Sequence, residues 1–142
     1  MSEDNKALSR RFFEEMMSGG NVDWLDEVTS PDYVDHDPVF PEDIHGIEAI
    51  KETMSGYRSA FPDLKMTVED QIAEGDEVMT RWVAEGTHEG ELMGVPPSGN
   101  RVRVEGMTID RFENGKFVES WDNWDALGLM QQMGAIPASS SA

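Results

Sequence analysis

The sequence of 142 residues contains no cysteine. A chain without cysteine has no disulfide bonds, no zinc site built from thiolates and no cysteine nucleophile. The three histidines, His36, His45 and His88, include no pair at the close spacing that metal-binding motifs use. The sequence therefore predicts no metal site.

Basic residues are also scarce: 11 Lys and Arg stand against 29 Asp and Glu, which gives a formal net charge of −18. The field of such a chain repels the phosphates of nucleic acids and the anionic surfaces of membranes. We therefore expect neither nucleic acid nor a membrane as a partner. The acidic residues are interpreted as a solvated surface that favours solubility.

Long apolar runs are missing as well. No segment is long enough to span a membrane, and the polar stretch Met1–Arg10 does not have the apolar run of a secretory signal. These two absences predict a cytoplasmic location. The length predicts a single domain, residues 1–142, whose tail from about 135 to 142 has no burial signal and is expected to fray.

Three helices are predicted in the first half of the chain. The first begins at Ser2, carries apolar residues at helical spacing and ends at Gly19. A shorter helix is predicted over residues 22–28. A third extends from residue 47 to about 60, where Pro62 disfavours its continuation.

Between the second and third helices, Pro31 is expected to lead the chain into a loop over residues 32–43. This loop carries Tyr33, Asp35 and His36, which combine aromatic, carboxyl and imidazole groups. Loops of this kind often contribute to binding sites, so the three are candidates for contact with a polar group of a substrate. The alternative is that Asp35 and His36 only form hydrogen bonds within the turns of the loop.

Four antiparallel strands and a last short helix, Ala126–Met133, are predicted in the second half. Turns at Gly75 and at Asn114-Gly115 join the strands in pairs, and Asn-Gly is a strong hairpin signal. In the longest strand the apolar positions change parity around Gly106, which predicts a bulge that bends the sheet. This order indicates an α+β fold in which the helices and a curled sheet enclose a pocket.

Asp122 is the residue whose orientation matters most for function. In the last strand it shares a face with Ser120 and Trp124, because side chains alternate along a strand. If this face lines the pocket, burial disfavours the charged form and makes Asp122 a usable general acid or base. If the face meets water, Asp122 is one more solvated aspartate. The residues alone leave both interpretations open.

Six short motifs, taken together and in this order, resemble one protein family. They are PDY at residues 31–33, FPDL at 61–64, GTHEGELMGVPP at 86–97, GKFVE at 115–119, DNWD at 122–125 and QMG at 132–134. The family is that of the SnoaL-like polyketide cyclases, or ester cyclases. The resemblance covers nearly the whole chain.

The resemblance implies a fold like that of nuclear transport factor 2, in which N-terminal helices pack on a strongly curved antiparallel sheet. It also implies ring closure by intramolecular aldol condensation without a cofactor, with Asp122 at the position of the acid/base aspartate. One departure is Thr108, which stands where the anthracycline ring cyclases carry a second pocket histidine and cannot titrate. His88 matches a histidine of the family, and either orients the substrate or is a hydrogen-bonded structural residue.

The prediction for function is a cofactor-independent enzyme that acts on a small apolar carbonyl compound, with Asp122 and His88 as its catalytic residues. The predicted substrate contacts are Tyr33, Asp35, His36, Trp82, Thr108 and Trp124. A second hypothesis is a hydrolase or isomerase in which Asp35 and Asp122 converge, and a third is a non-catalytic ligand-binding or dimerisation module. The resemblance also predicts a homodimer or higher homo-oligomer that associates through the outer face of the sheet.

Overall fold

The computed structural model describes residues 2–137. The helices within this range are α1 (Ser2–Arg11), α2 (Leu25–Val28), α3 (Ile47–Ala60) and α4 (Ala126–Gln132). Helix α1 continues as a π-helical segment, Phe12–Met17, and a 3-10 turn, Val22–Trp24, precedes α2. The predicted helices are confirmed. None of the helices described is long and apolar enough to cross a membrane.

The described strands form one sheet. They are β1 (Thr29–His36), β2 (Ile44–His45), β3 (Lys65–Glu74), β4 (Glu77–Thr87), β5 (Arg101–Glu113) and β6 (Lys116–Trp124). Their order across the sheet is β2-β1-β6-β5-β4-β3. All neighbours are antiparallel except β1 and β6, which are parallel. The predicted α+β fold is confirmed, and the sheet that the sequence predicted as antiparallel contains one parallel pair, β1 with β6.

The hairpin turn at Asn114-Gly115 is formed as predicted. Asn114 and Gly115 have φ values of 51° and 74°, and a two-residue turn that matches the twist of the strands requires positive φ at both central positions. Asparagine and glycine tolerate this conformation better than other residues. The turn therefore fixes how β5 and β6 pair, which in turn sets the faces on which their side chains lie.

The prediction of a loop that begins at Asp32 is wrong, because residues 29–36 form strand β1. This strand pairs in parallel with β6, and Asp35 lies opposite Ser120 in the register. Pro31 is tolerated near the start of the strand, where β1 and β6 are irregularly paired. Only residues 37–43, beyond the strand, form the turns and bends that the sequence predicted for the whole segment.

The bulge predicted at Gly106 is also wrong. The pairing of β4 with β5 is continuous from Glu77 to Thr87, and the irregularity in β5 lies between Arg111 and Phe112, where it faces β6. The buried side of β5 does not change at Gly106. Instead, polar residues occupy the inner face beyond this glycine while apolar residues occupy the outer face, which gives the sequence the appearance of a parity change.

The inner face of the sheet lies against the N-terminal helix, its π-helical segment and α3. The alternate residues of β5 that point inward are all buried: Val102, Val104, Gly106, Thr108, Asp110 and Phe112. The outward residues Met107 and Ile109 are exposed. One face of the sheet thus changes from apolar to polar along its length, and the polar part lies next to β1 and β6.

The end of the chain is tied to α4 over its described part. The amide of Ala135 donates to the carbonyl of Met130 over 2.9 Å. The predicted fraying of the tail concerns mostly residues 138–142, which lie outside the described residues.

Candidate active site

A cavity with an open mouth lies between the inner face of the sheet and the helices. Most of its wall is apolar or aromatic, with contributions from Phe13, Met17, Ile50, Phe61, Val104 and Leu129. Its polar groups come mainly from the sheet, where the lining includes Asp35, Thr108, Asp110, Ser120 and Asp122. None of the described residues that line it is a lysine, arginine or histidine. The cavity therefore combines an apolar chamber with a cluster of carboxyl groups.

Asp122 lines this cavity and ends a chain of hydrogen bonds that crosses the sheet. The indole Nε1 of Trp82 donates to Thr108 Oγ1 over 3.0 Å. The hydroxyl of Thr108 donates in turn to Asp122 Oδ1 over 2.7 Å. The structure thus places Trp82, Thr108 and Asp122 together at the cavity, and the Trp82 indole fixes the direction in which the Thr108 hydroxyl points.

Asp35 lies beside Asp122 on the neighbouring strand. It is 2% exposed, and a side-chain hydrogen bond joins the two carboxyl groups. Burial, the hydrogen bond to Asp122 and the negative charge of Asp122 raise the pKa of Asp35 well above its ordinary value. A hydrogen bond between two carboxyl groups needs a proton on one of them, and these effects assign that proton to Asp35. Its Oδ1 is buried and has no hydrogen-bond partner among the described residues.

Asp110 is a further buried carboxyl group, which was not predicted from the sequence. It accepts hydrogen bonds from Ser9 Oγ over 2.8 Å and from Ser120 Oγ over 2.5 Å. The hydroxyl of Tyr33 is hydrogen-bonded to Ser120 as well. Burial raises the pKa of Asp110 to about 7, although the two serine hydroxyls oppose the change. Val104, Thr108 and Asp110 lie at alternate positions of β5 and therefore share its inward face. This spacing could have identified Asp110, but the apolar residues on the outer face suggested a change of parity instead.

Asp37 completes the group at the end of β1, and it too was missed. Its carboxyl oxygens accept from the indole Nε1 of Trp124 over 3.2 and 3.3 Å, and its Oδ1 accepts from the amide of Val39 over 3.0 Å. Burial raises the pKa of Asp37. Tyr33, Asp35 and Asp37 alternate in the sequence, so a strand would have placed them on one face. The loop prediction for this segment concealed that signal.

Two predicted site residues lie away from the cavity lining. His36 is on the outer face, where Nε2 lies 2.7 Å from Glu119, Nδ1 lies 3.0 Å from Asp43 and the ring stacks on Trp121. His88 is fully buried beneath the loop that leads to β5; the amide of Ser98 donates to its Nδ1 over 3.2 Å, and its Nε2 has no partner among the described residues. Neither histidine is among the residues that line the cavity with the carboxyl groups. Tyr33, Asp35, Trp82, Thr108, Trp124 and Asp122 do line the cavity.

No group of three or more His, Asp or Glu side chains placed to hold a metal ion occurs in the part of the chain that the structure describes. The chemistry that the arrangement offers is proton transfer. The protonated carboxyl of Asp35 lies next to the carboxyl of Asp122 on the wall of an apolar chamber, and both residues belong to strands of the sheet rather than to a loop.

Comparison with known proteins gives concordant matches. The model of the SnoaL-like polyketide cyclase family matches residues 7–133. Nogalonic acid methyl ester cyclase of Streptomyces nogalater is 31% identical over 117 residues, which cover 81% of this chain and 87% of that protein. Aklanonic acid methyl ester cyclase of Streptomyces peucetius is 28% identical over 132 residues, 89% of this chain and 88% of that protein.

Among solved structures, TsrD from Streptomyces laurentii superposes with a TM-score of 0.85 at 30% identity. The match covers 96% of this chain and 98% of that one. Together these matches confirm the resemblance seen in the sequence and the predicted fold like that of nuclear transport factor 2.

Proposed function

Because the chain belongs to the SnoaL-like polyketide cyclase family, we propose that it is a cofactor-independent cyclase that closes a ring by intramolecular aldol chemistry. The observation that carries the proposal is the hydrogen-bonded pair of Asp35 and Asp122 on the wall of an otherwise apolar cavity. A pair of titratable groups in different protonation states supplies a base and an acid at one place.

In the proposed reaction Asp122 is the base and Asp35 the acid. Asp122 removes a proton from a carbon next to a carbonyl group, and the electron pair moves onto that carbonyl oxygen as an enolate. The enolate carbon then attacks a second carbonyl carbon of the same molecule, and the resulting alkoxide takes the proton of Asp35. Transfer of the proton from Asp122 to Asp35 restores the starting state. The reaction is therefore an isomerisation overall and consumes no co-reactant.

The lining of the cavity supports an uncharged substrate. A free carboxylate entering the chamber would approach Asp37, Asp110 and Asp122, and no lysine, arginine or histidine lines the described cavity to offset that repulsion. An ester has no such charge, and the names of the two similar cyclases refer to methyl esters. We propose a methyl ester of an aromatic polyketide, or a compound of similar size and polarity, as the substrate.

The contact between Asp35 and Asp122 also favours a second candidate function. A hydrolase or isomerase needs two carboxyl groups that converge on one water molecule or one carbon acid, and the contact between Asp35 and Asp122 supports this possibility. Product analysis separates a hydrolase from a cyclase, because ester hydrolysis places oxygen from 18O-labelled water in the released acid whereas aldol ring closure leaves the ester intact. An isomerase is distinguished by a product that contains no new ring.

The proposed base is tested with Asp122→Asn, which keeps the shape of the side chain and removes the proton acceptor. We expect deuterium exchange at the α-carbon of a bicyclic aryl ketone such as 2-tetralone to slow by about 100-fold or more, the usual contribution of a positioned base. Exchange is followed by NMR in heavy water. The matched control is Asp32→Asn, the same change at an exposed position of β1, and equal exchange rates for wild type and Asp122→Asn would exclude the proposed role.

A further inference from the structure

Tyr57 carries a hydroxyl group that the fold buries without giving it a hydrogen-bond partner. The residue lies on α3 and lines the cavity, and its Oη has no partner among the described residues. The ring is fixed by an edge-on contact with Trp124, with 6.3 Å between the ring centroids. Buried polar groups in folded proteins are nearly always hydrogen-bonded. A buried phenol that lines a cavity is therefore suited to bind a group that enters the cavity.

The surroundings of this hydroxyl indicate what kind of group it binds. Burial raises the pKa of Tyr57, and the negative charges of Asp37, Asp122 and Asp35 raise it further. The phenol consequently keeps its proton at neutral pH and acts as a donor. Tyr57 and all three of these aspartates line the same cavity. A ligand in this cavity therefore has a hydrogen-bond donor and the proposed base in its wall.

The other hydroxyl groups of the site already form hydrogen bonds within the protein. The hydroxyl of Thr108 donates to Asp122, that of Ser120 donates to Asp110, and that of Tyr33 is hydrogen-bonded to Ser120. Thr108 also occupies the position at which the sequence departs from the ring cyclases that it resembles. Tyr57 therefore supplies a donor that Thr108 does not offer to a ligand.

We propose that Tyr57 Oη donates a hydrogen bond to the carbonyl oxygen of the substrate while Asp122 removes a proton from the adjacent carbon. This inference rests on the proposed function. The C–H bond breaks, its proton passes to the carboxylate of Asp122, and its electron pair moves to the carbonyl oxygen, where the Tyr57 hydroxyl stabilises the developing charge without giving up its own proton. Removal of one such donor typically lowers kcat by about 100-fold or more.

The kinetic test compares Tyr57→Phe with wild type in the exchange of 2-tetralone. The substitution keeps the ring contact with Trp124 and removes only the hydroxyl. We expect kcat to fall by about 100-fold with little change in KM, because the bond strengthens as charge develops. The control is Thr53→Val, which removes a hydroxyl from the same helix; that hydroxyl donates to the carbonyl of Ala49 over 2.9 Å. The Thr53→Val variant is expected to exchange 2-tetralone at the wild-type rate.

A binding test separates this inference from the proposed function, because it needs no turnover. 2-Naphthol has the shape of the enol of 2-tetralone, and naphthalene lacks the oxygen. Calorimetry is expected to show that Tyr57→Phe lowers the affinity for 2-naphthol about 5-fold, the usual effect of one neutral hydrogen bond. The affinity for naphthalene should not change. Equal 2-naphthol affinities for wild type and Tyr57→Phe would overturn the role of Tyr57, whatever Asp122→Asn does. If Tyr57→Phe binds 2-naphthol more weakly but Asp122→Asn exchanges 2-tetralone at the wild-type rate, the role of Tyr57 as donor is supported and the proposed base is wrong.

Discussion

Asp110 is a carboxyl group that the fold holds away from water. It is 4% exposed and its hydrogen bonds come from two serine hydroxyls. Burial raises its pKa from 3.8 to about 7, so the folded protein keeps a proton that the unfolded chain releases near pH 4. Between these two values the folded state binds more protons, and stability therefore falls as the pH rises. The stabilising contribution is complete below pH 4 and is lost as the pH passes 7.

Asp110→Asn removes this titration and is expected to flatten the pH dependence. The free energy of unfolding of wild type should fall between pH 5 and pH 8 by more than that of the variant, with a difference of up to about 3 kcal/mol for a folded-state pKa of about 7. Urea unfolding at the two pH values measures it. Asp76→Asn, at an exposed turn, should follow the wild-type curve. Parallel curves for wild type and Asp110→Asn would mean that Asp110 titrates normally.

At the scale of the elements, the approach of β5 to the cavity depends on Gly106. A Cβ atom at this position would overlap the Trp82 ring and would lie 2.7 Å from the Cβ of Trp124. The absence of a side chain is what lets the Trp82 indole cross β5 and reach Thr108. A glycine that looks like a weakness in a strand is thus required for the hydrogen bonds that orient Asp122.

Gly106→Ala is expected to lower the free energy of unfolding by about 1–3 kcal/mol, the usual range for overpacking, and to break the hydrogen bond from the indole to Thr108. Gly56→Ala provides the contrast, because Gly56 lies in the interior of α3 and a Cβ atom there would have nothing within 4 Å. At that position alanine should raise stability by up to about 1 kcal/mol through helix propensity. Urea unfolding checks both signs, and a stable Gly106→Ala variant would contradict the packing argument.

The sequence predicts the parts of the fold that depend on local signals. The helix pattern up to Gly19 and the Asn114-Gly115 turn are read from neighbouring residues, and both are confirmed. Strand β1 was missed because its main partner β6 lies more than 80 residues further along the chain and its nearby partner β2 is only two residues long. The inward faces of β1 and β5 carry polar side chains where they line the carboxyl-rich part of the cavity. The expectation that inward-facing side chains are apolar therefore assigns Asp37 and Asp110 to the wrong face.

The same difference explains which site residues were predictable. Asp122 came from a family motif, and its place in the cavity agrees with that motif. His36 stands between Asp35 and Asp37 in the sequence, yet alternation along a strand sends it to the opposite face, where it contacts Glu119 and Asp43. The orphan hydroxyl of Tyr57 depends on the packing of α3 against Trp124, which no sequence pattern records.

At the scale of the whole molecule, a stripe of mostly apolar side chains crosses the outer face of the sheet. Ile72, Met79, Ile109 and Trp121 are register partners on β3, β4, β5 and β6, and Ile72 and Ile109 are 59% and 39% exposed. Large exposed apolar patches commonly mark association surfaces. We expect a second copy of the chain to cover this stripe, although a net charge of −18 per chain opposes the approach.

Ile109→Lys is expected to convert a dimer into a monomer, because it places a charge at the centre of the stripe. Leu127→Lys changes the net charge equally at another exposed apolar residue, on α4, and should leave the dimer intact. Light scattering coupled to size exclusion measures the mass. Since salt screens the repulsion between acidic chains, the dimer should tighten from low to high ionic strength, and a monomeric wild type in both conditions would contradict the expectation.

The parallel pairing of β1 with β6 has a consequence for how the protein is made. Asp35 leaves the ribosome well before Asp122, and the two meet only when β6 inserts between β1 and β5. A nascent or prematurely terminated chain that stops before residue 116 holds cavity walls but only one member of the reactive pair. The proposed activity therefore requires β6, and we expect a chain that ends before this strand to lack it.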